Sequence, residues 1–265
     1  MQKHKLEERM KKGILVVSFG TTYRDPREKT IGAIEEKIRA SFPEYRIYRA
    51  FTSKIVRSRI EEAEGIRVPD VKSALEQMLA DGIEAAVVQP THIIDGIENE
   101  LMKEEAKKYR DRFRYFGIGE PLLKSEEDYE IVADILEQER KEKGQAVVFM
   151  GHGSEHFANA SYRRLQKVLH GRGRKDYYIS TVEGKPDIHE TLGQVSSGGY
   201  RSVSLIPFMI VAGDHAKNDM AGEEDSWCQL FRTQGYRVQC RLKGLGENPA
   251  VQELFISHLR RALPR

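Results

Sequence analysis

The sequence predicts an α/β protein built as two similar modules, each a four-stranded parallel sheet flanked by helices. Three observations carry this expectation: continuous aliphatic runs bounded by turns, charged amphipathic stretches between them, and a self-similarity that links the two halves. A strand covered by helices on both faces reads as an unbroken apolar run, whereas a half-exposed strand alternates.

The first such run is Ile14–Phe19, followed by a helical pattern over Arg27–Ser41 and a second strand that ends within Tyr48–Lys54. A helix at Val71–Ala80 leads to a third strand at Ala85–Gln89, and a helix at Glu98–Arg110 leads to a fourth that ends at Gly117-Ile-Gly-Glu-Pro121. A charged helix, Glu126–Lys141, intervenes, and the series restarts with a strand at Ala146–Met150 and a helix at Ala158–Leu169. A strand then ends within Ile179–Lys185, another follows at Ser202–Ile206, and the last ends before Gly244-Leu-Gly-Glu-Asn-Pro249. Strands alternating with helices in this way make βαβ units.

An offset of 131 places Val16-Val-Ser-Phe-Gly-Thr21 on Val147-Val-Phe-Met-Gly-His152, and Tyr48–Lys54 on Ile179–Lys185. An offset of 117 then places Leu75, Gln77, Gly82, Pro90 and Gly96 on Leu192, Gln194, Gly199, Pro207 and Gly213. Finally Gly117–Pro121 resembles Gly244–Pro249. Glycine and proline suit strand-to-helix corners in any α/β fold, but four matches in the same order, each at a strand end, indicate a duplicated module. The expected boundaries are an N-terminal module at 1–125, a helical linker at 126–144 and a C-terminal module at 145–265.

The chain has 265 residues, 39% of them apolar, enough for one large core or two ordinary ones. Its 43 Lys and Arg nearly balance 41 Asp and Glu, so the net charge of +2 provides no field to gather nucleic acid or a membrane surface. A small-molecule partner is expected, with no nucleic acid and no membrane, while the oligomeric state is left open between a monomer and a homo-oligomer. The segment Met1–Lys12 is charged throughout and lacks the apolar core of an export signal, and no run approaches the ~20 apolar residues of a membrane span, so a cytoplasmic location is expected. Cys228 and Cys240 lie outside any CxxC pattern and read as packing residues.

Ligands of open parallel sheets bind at the carboxyl ends of the strands. On the repeat, the first module offers Thr21, Thr52 and Glu98 there, and the second offers His152, Glu183 and His215. Two imidazoles and a carboxylate suit a divalent first-row metal, and three protein ligands leave positions open for chemistry. Gly151 and Gly153 bracket His152, and Gly213 precedes His215, which places each histidine in a loop where backbone turns sharply.

The remaining residues carry weaker signals. His156 lies four residues after His152, with Gly153 arguing against a shared helix, and reads as a supporting or surface residue. His92 either lines the cleft or packs as a structural imidazole, while His170 and His189 read as surface residues. Lys54, Arg57 and Arg59, with Arg24 and Arg27, offer paired donors to an acidic substrate or simply solvate the surface. The acidic run Glu223-Glu-Asp225 reads as a solvated helix start, and Gly171-Arg-Gly-Arg-Lys175 is given no role. No GxGxxG or P-loop occurs, so no nucleotide cofactor is expected.

Taken together, Ile14-Leu-Val-Val-Ser-Phe-Gly-Thr-Thr22, Arg27-Glu-Lys-Thr-Ile-Gly-Ala-Ile34, Phe149-Met-Gly-His-Gly153 and Ile210-Val-Ala-Gly-Asp-His-Ala-Lys-Asn-Asp-Met-Ala-Gly222 resemble the class II tetrapyrrole metal chelatases, within them the anaerobic sirohydrochlorin cobaltochelatases. The resemblance implies a chelatase-like fold whose modules face each other across a central cleft. It implies insertion of Co2+ into sirohydrochlorin, or its precorrin-2 form, in anaerobic cobalamin biosynthesis, without ATP and with release of two pyrrole protons. It further implies His152, Glu183 and His215 as metal ligands, the two histidines also serving catalysis. With these stand Glu98 as a guide for metal or protons, and Thr21, Lys54, Arg57 and His92 as substrate-binding residues. Insertion of Fe2+ or Ni2+ into a related tetrapyrrole and a non-catalytic metal or tetrapyrrole carrier are the alternatives.

Overall fold

A computed structural model describes residues 10–139 and 142–264. Most of the N-terminal stretch and the last two residues of the expected helix 126–141 therefore lie outside the described residues. The first four strands are β1 (Lys12–Ser18), β2 (Tyr45–Phe51), β3 (Ala85–Pro90) and β4 (Tyr115–Ile118). All are parallel, in the order β2-β1-β3-β4. The second sheet repeats the plan with β5 (Gln145–Gly153), β6 (Tyr177–Glu183), β7 (Ser202–Pro207) and β8 (Arg237–Cys240), in the order β6-β5-β7-β8.

The unbroken apolar runs have the burial they require. Every residue of β3 and of β7 is buried, and β1 and β5 form the centres of their sheets. Around the first sheet lie α1 (Arg24–Arg27), continuing through a π turn at Glu28–Gly32 into α2 (Ala33–Ser41), then α3 (Lys54–Glu64), α4 (Val71–Ala80) and α5 (Ile97–Lys107). Next come α6 (Glu126–Glu137), α7 (Ala160–Gly171), α8 (Ile188–Ser197), α9 (Trp227–Thr233) and α10 (Pro249–Ala262). Their starts follow ordinary capping chemistry. Ser53, Asp70, Asp187 and Ser226 each accept a hydrogen bond from a first-turn N–H, and Ser125 with Asp128 forms a capping box. No helix among the described residues is long and apolar enough to cross a membrane.

The chain divides into two compact units, one of the described residues up to Leu122 with those from Gln252 onward, the other Leu123–Val251. This differs from the sequence-drawn boundaries in two places. The helix expected as a linker, α6, belongs to the second unit, where Arg164 lies over the Tyr129 ring and Arg172 is held by Glu130, Asp134 and Glu137. The basic turn at 171–175 is thus a clamp on the acidic face of α6. The final helix, α10, belongs to the first unit: Tyr115 donates to the Ala262 carbonyl at 2.8 Å, Lys37 pairs with Glu253 at 3.0 Å, and Phe255 and Leu259 are fully buried. A local pattern marks a helix and its apolar face, but not which sheet that face covers.

The backbone confirms the duplication and corrects its register. Thr91 donates its N–H to the Val17 carbonyl as Phe208 does to that of Met150, so Val17 matches Met150. Gly20 then matches Gly153, and both hold left-handed φ angles, +99° and +79°. By the same logic Phe51 and Thr181 correspond, each donating to a proline carbonyl, Pro69 and Pro186. His152 is therefore the counterpart of Phe19 rather than Thr21, and Glu183 that of Ser53 rather than Thr52. The pairing of Glu98 with His215 stands, because Glu100 donates to the Gly96 carbonyl as Lys217 donates to that of Gly213. At the fourth strand, Leu122 donates to His92 as Leu245 donates to Met209, which displaces the expected match of Gly117 with Gly244.

Candidate metal-transfer site

A strand order of 2-1-3-4 reverses direction between its first and third strands, and a crevice opens there at the carboxyl edge. In the second unit those strands are β5 and β7, and they deliver the two histidines. His152 is the penultimate residue of β5, within the strand rather than in the expected loop. Gly153 pairs in register with Glu183, and a Cβ at Gly153 would collide with the Glu183 carbonyl oxygen, so only glycine permits this close approach. A Cβ at Gly151 would press into the buried Tyr162 ring, whose hydroxyl is pushed by burial to a pKa of about 12. His215 stands immediately before a π turn, Ala216–Met220. Such turns are frequent at functional sites because they re-aim a side chain.

The two imidazoles meet edge to face, with ring centroids 4.7 Å apart. Each ring is oriented through Nδ1. His152 Nδ1 lies 2.9 Å from the Gly153 carbonyl oxygen, and His215 Nδ1 lies 2.5 Å from Asp219 Oδ2. Carbonyl and carboxylate oxygens accept only, so in the neutral rings both protons reside on Nδ1 and both lone pairs on Nε2. A second group that fixes tautomer and orientation is the usual support of a metal-ligating histidine. Asp219 escaped the sequence reading, although its spacing of four from His215 was the available signal.

Glu183 ends β6 beside this pair, but its side chain is exposed. Among the described residues no three His, Cys, Asp or Glu side chains converge closely enough to hold a metal ion. The structure therefore joins His152 and His215 and leaves Glu183 at the rim. Beside the rim is a cavity of about 260 Å³ lined by Ser154, His156, Phe157, Arg163 and Lys185 among others. His156 Nδ1 accepts from the Ala158 N–H at 3.2 Å, which makes it the cap of a short 3-10 turn.

The remaining expected residues fall in the first unit. Glu98 is exposed in the first turn of α5. His92 lies in the loop before that helix, its Nδ1 3.2 Å from Asn99 Oδ1. Lys54 is exposed at the start of α3, and Arg57 is partly buried with its guanidinium 3.7 Å from Asp70. Thr21, expected to bind substrate, is buried at 6% exposure, its hydroxyl accepting the Tyr23 N–H and its carbonyl facing Arg27. It holds the turn after β1. Arg27 is likewise no surface donor: at 4% exposure it pairs with Glu64 at 2.6 Å and holds that carboxyl below its ordinary pKa. His170, expected at the surface, instead bonds the Tyr177 carbonyl through Nε2 at 2.8 Å.

A duplicated parallel α/β scaffold carries two Nδ1-anchored imidazoles at a switch point, and its relatives place it in a class, the metal chelatases. The chain matches the cobalt chelatase family CbiK over residues 12–264, and it belongs to that family. It is 39% identical over 257 residues to the sirohydrochlorin cobaltochelatase of Salmonella typhimurium, covering 96% of this chain and 97% of that one. It is 34% identical over 259 residues to the sirohydrochlorin cobaltochelatase CbiKC of Nitratidesulfovibrio vulgaris, covering 96% and 91%. Among solved structures, SirB from Bacillus subtilis with Fe3+ shares the fold at a TM-score of 0.66 and 17% identity, covering 95% of each chain. CbiX, described as the terminal enzyme of sirohaem biosynthesis in denitrifying bacteria, superposes with a TM-score of 0.53 at 13% identity, covering 96% of this chain and all of that one.

Proposed function

We propose that this chelatase inserts Co2+ into sirohydrochlorin, or its precorrin-2 form, for cobalamin synthesis, without a nucleotide and with release of two pyrrole protons. The observation that carries the reading is the His152–His215 pair, two imidazoles edge to face at the switch point of one sheet, each anchored through Nδ1. Both near-full-length relatives bear the name of this activity.

In this reading the incoming ion is a substrate, taken up by Nε2 of His152 and of His215 and docked by Glu183, whose exposed side chain turns inward to neutralise charge. Asp219 makes His215 a better donor by accepting its Nδ1 proton. The ion then exchanges imidazole and water for ring nitrogens, and Glu98 accepts a pyrrole proton. Lys54 and Arg57 face the substrate's carboxylates, which prefer such donors. His92 is the further residue assigned to the substrate. The protein works in the cytoplasm on a tetrapyrrole partner.

The test follows macrocycle absorbance with purified protein, sirohydrochlorin and Co2+. Many turnovers per protein are expected, whereas a carrier stops at one equivalent. His215→Ala is expected to lower kcat by about 10²-fold or more while the circular dichroism spectrum stays unchanged. An unaltered rate would remove His215 from the reaction. The same assay with Fe2+ and Ni2+, reported as kcat/KM, sets the metal preference, since a bis-imidazole site follows the general affinity order.

A further inference from the structure

The connection after the second strand differs between the two units. Phe51 donates its N–H to the Pro69 carbonyl at 3.0 Å, and Thr181 donates to that of Pro186 at 2.7 Å. Each proline precedes the aspartate that caps the next helix, Asp70 for α4 and Asp187 for α8. Between these matched points the second unit has four residues and the first has seventeen. The extra length holds α3, for which the second unit has no counterpart at this place.

The inner face of α3 is tied to the first unit. Ile60 is buried, and a Cβ added at Gly20 would come within 3.1 Å of Val56, so the turn after β1 rests on the helix. Glu64 pairs with Arg27 at 2.6 Å, and Arg57 lies 3.7 Å from Asp70. The outer face stands in water: Lys54, Ile55, Ser58 and Arg59 are exposed, Ile55 at 66%. Residues four apart are neighbours on a helix, so Ile55 adjoins Arg59 and Lys54 adjoins Ser58. Ser53 donates its N–H to the Phe19 carbonyl at 3.3 Å, which sets the start of α3 against the exposed aromatic ring residue that follows β1.

Two features of this face are not explained by folding. A helix beside a sheet ordinarily turns its large aliphatic side chains inward, yet Ile55 is in water between two cations. The charges also run against the helix. Acids stabilise a first turn and bases a last one, the order found in α2 with Glu35, Glu36 and Arg39, and in α5 with Glu98, Glu100 and Lys107. In α3 the order is reversed, with Lys54 and Arg57 at the start and Glu61, Glu62 and Glu64 at the end. Such an arrangement weakens the helix, so it is kept for something outside it.

We propose that α3 is the recognition helix for the acidic rim of the tetrapyrrole, and that it sets a preference for macrocycles with many carboxylate side arms over those with few. The proposal rests on the substrate reading above and concerns the first unit alone. The periphery of such a macrocycle alternates apolar ring edge with carboxylate. The exposed face of α3 alternates in the same way, with Ile55 against the ring edge and Lys54 and Arg59 on carboxylates, Arg offering paired donors and Lys a point charge. Arg57, drawn toward Asp70, adds its charge.

The experiment measures binding to the full-length protein with no cobalt added, by fluorescence titration with uroporphyrin, which carries eight carboxylates, and mesoporphyrin, which carries two. The unaltered protein is expected to bind uroporphyrin about tenfold more tightly at low salt, an advantage that shrinks as ionic strength rises. Lys54→Gln combined with Arg59→Gln is expected to raise Kd for uroporphyrin about tenfold and for mesoporphyrin less than about twofold. Ile55→Ser is expected to weaken both by about threefold. Glu61→Gln, on the acidic half of the helix, is expected to leave the preference intact. Melting temperatures of the variants are expected to match that of the unaltered protein, which separates lost recognition from lost folding. A double variant that loses both porphyrins equally, or neither, overturns the role of α3, while binding of sirohydrochlorin by the unaltered protein leaves the substrate reading standing. An unaltered protein that binds neither sirohydrochlorin nor uroporphyrin sinks the reading on which the proposal rests.

Discussion

At the end of β5 stands His152, and at the matching end of β1 stands Phe19, 44% exposed. After β7 comes His215, tied to Asp219; after β3 comes Glu98, with the enclosed His92 behind it. The two units share strand order, backbone hydrogen bonds at the strand ends and a left-handed glycine where the first strand ends. They differ in the side chains that this common frame presents. One copy of the module carries two imidazoles at this edge, the other an apolar ring and a carboxylate. Copies of a fold can differ in this way because backbone geometry is set by buried strands, which leaves the carboxyl edge free to change.

The comparison breaks most visibly at the paired positions. His152→Ala is expected to reduce kcat/KM by about 10²–10⁴-fold, whereas Phe19→Ala is expected to act mainly on KM, by about tenfold, through lost apolar contact. Steady-state kinetics on both variants measure the contrast, and equal losses of kcat would dissolve it. A comparable energy is at stake in the helix that returns to the first unit. Phe255, fully buried in α10, is expected to cost about 3–5 kcal/mol on replacement by Ala. Hydrogen exchange should then show faster opening in β1–β4 than in β5–β8. Asp219→Asn comes next, with an expected loss of about 10–100-fold in metal affinity or activity, readable by titration with Co2+.

The smallest effect concerns the clamp on α6. Burial would raise the Glu137 carboxyl, but hydrogen bonds from Arg174 and Arg172 prevail and hold it below its ordinary pKa. A carboxyl lowered on folding contributes stability above its unfolded pKa of about 4.3, and that contribution is lost as pH falls through the lower folded value. Arg172→Ala is expected to cost about 0.5–1 kcal/mol near neutral pH, since the pair is partly exposed. The acid limb of Tm against pH should also become shallower.

The strands were legible because burial on both faces leaves no alternation to misread, as in Ala85–Pro90 and Ser202–Pro207. The histidine pair was legible because glycines and strand ends mark the edge where ligands bind. The register between the copies was not, and Thr21 was taken for the counterpart of His152. A slip of two residues keeps every side chain on the same face of a sheet, so hydrophobic pattern alone cannot detect it. The left-handed glycines, Gly20 and Gly153, settle the match. Neither the burial of Arg27 against Glu64 nor the Asp95–Asn99–His92 chain could be read from spacing, because each depends on which polar atoms the folded loops enclose.

The return of α10 to the first sheet also orders events in time. Synthesis delivers β1–β4 first, yet the helix that packs beside Tyr115 follows the whole of the second unit. The second unit is a continuous stretch, Leu123–Val251, and has every residue it needs before the first unit has its own. Domains usually complete from the N-terminus onward during translation. Here the order is inverted: the unit that carries His152 and His215 has its whole sequence before the first unit has its own.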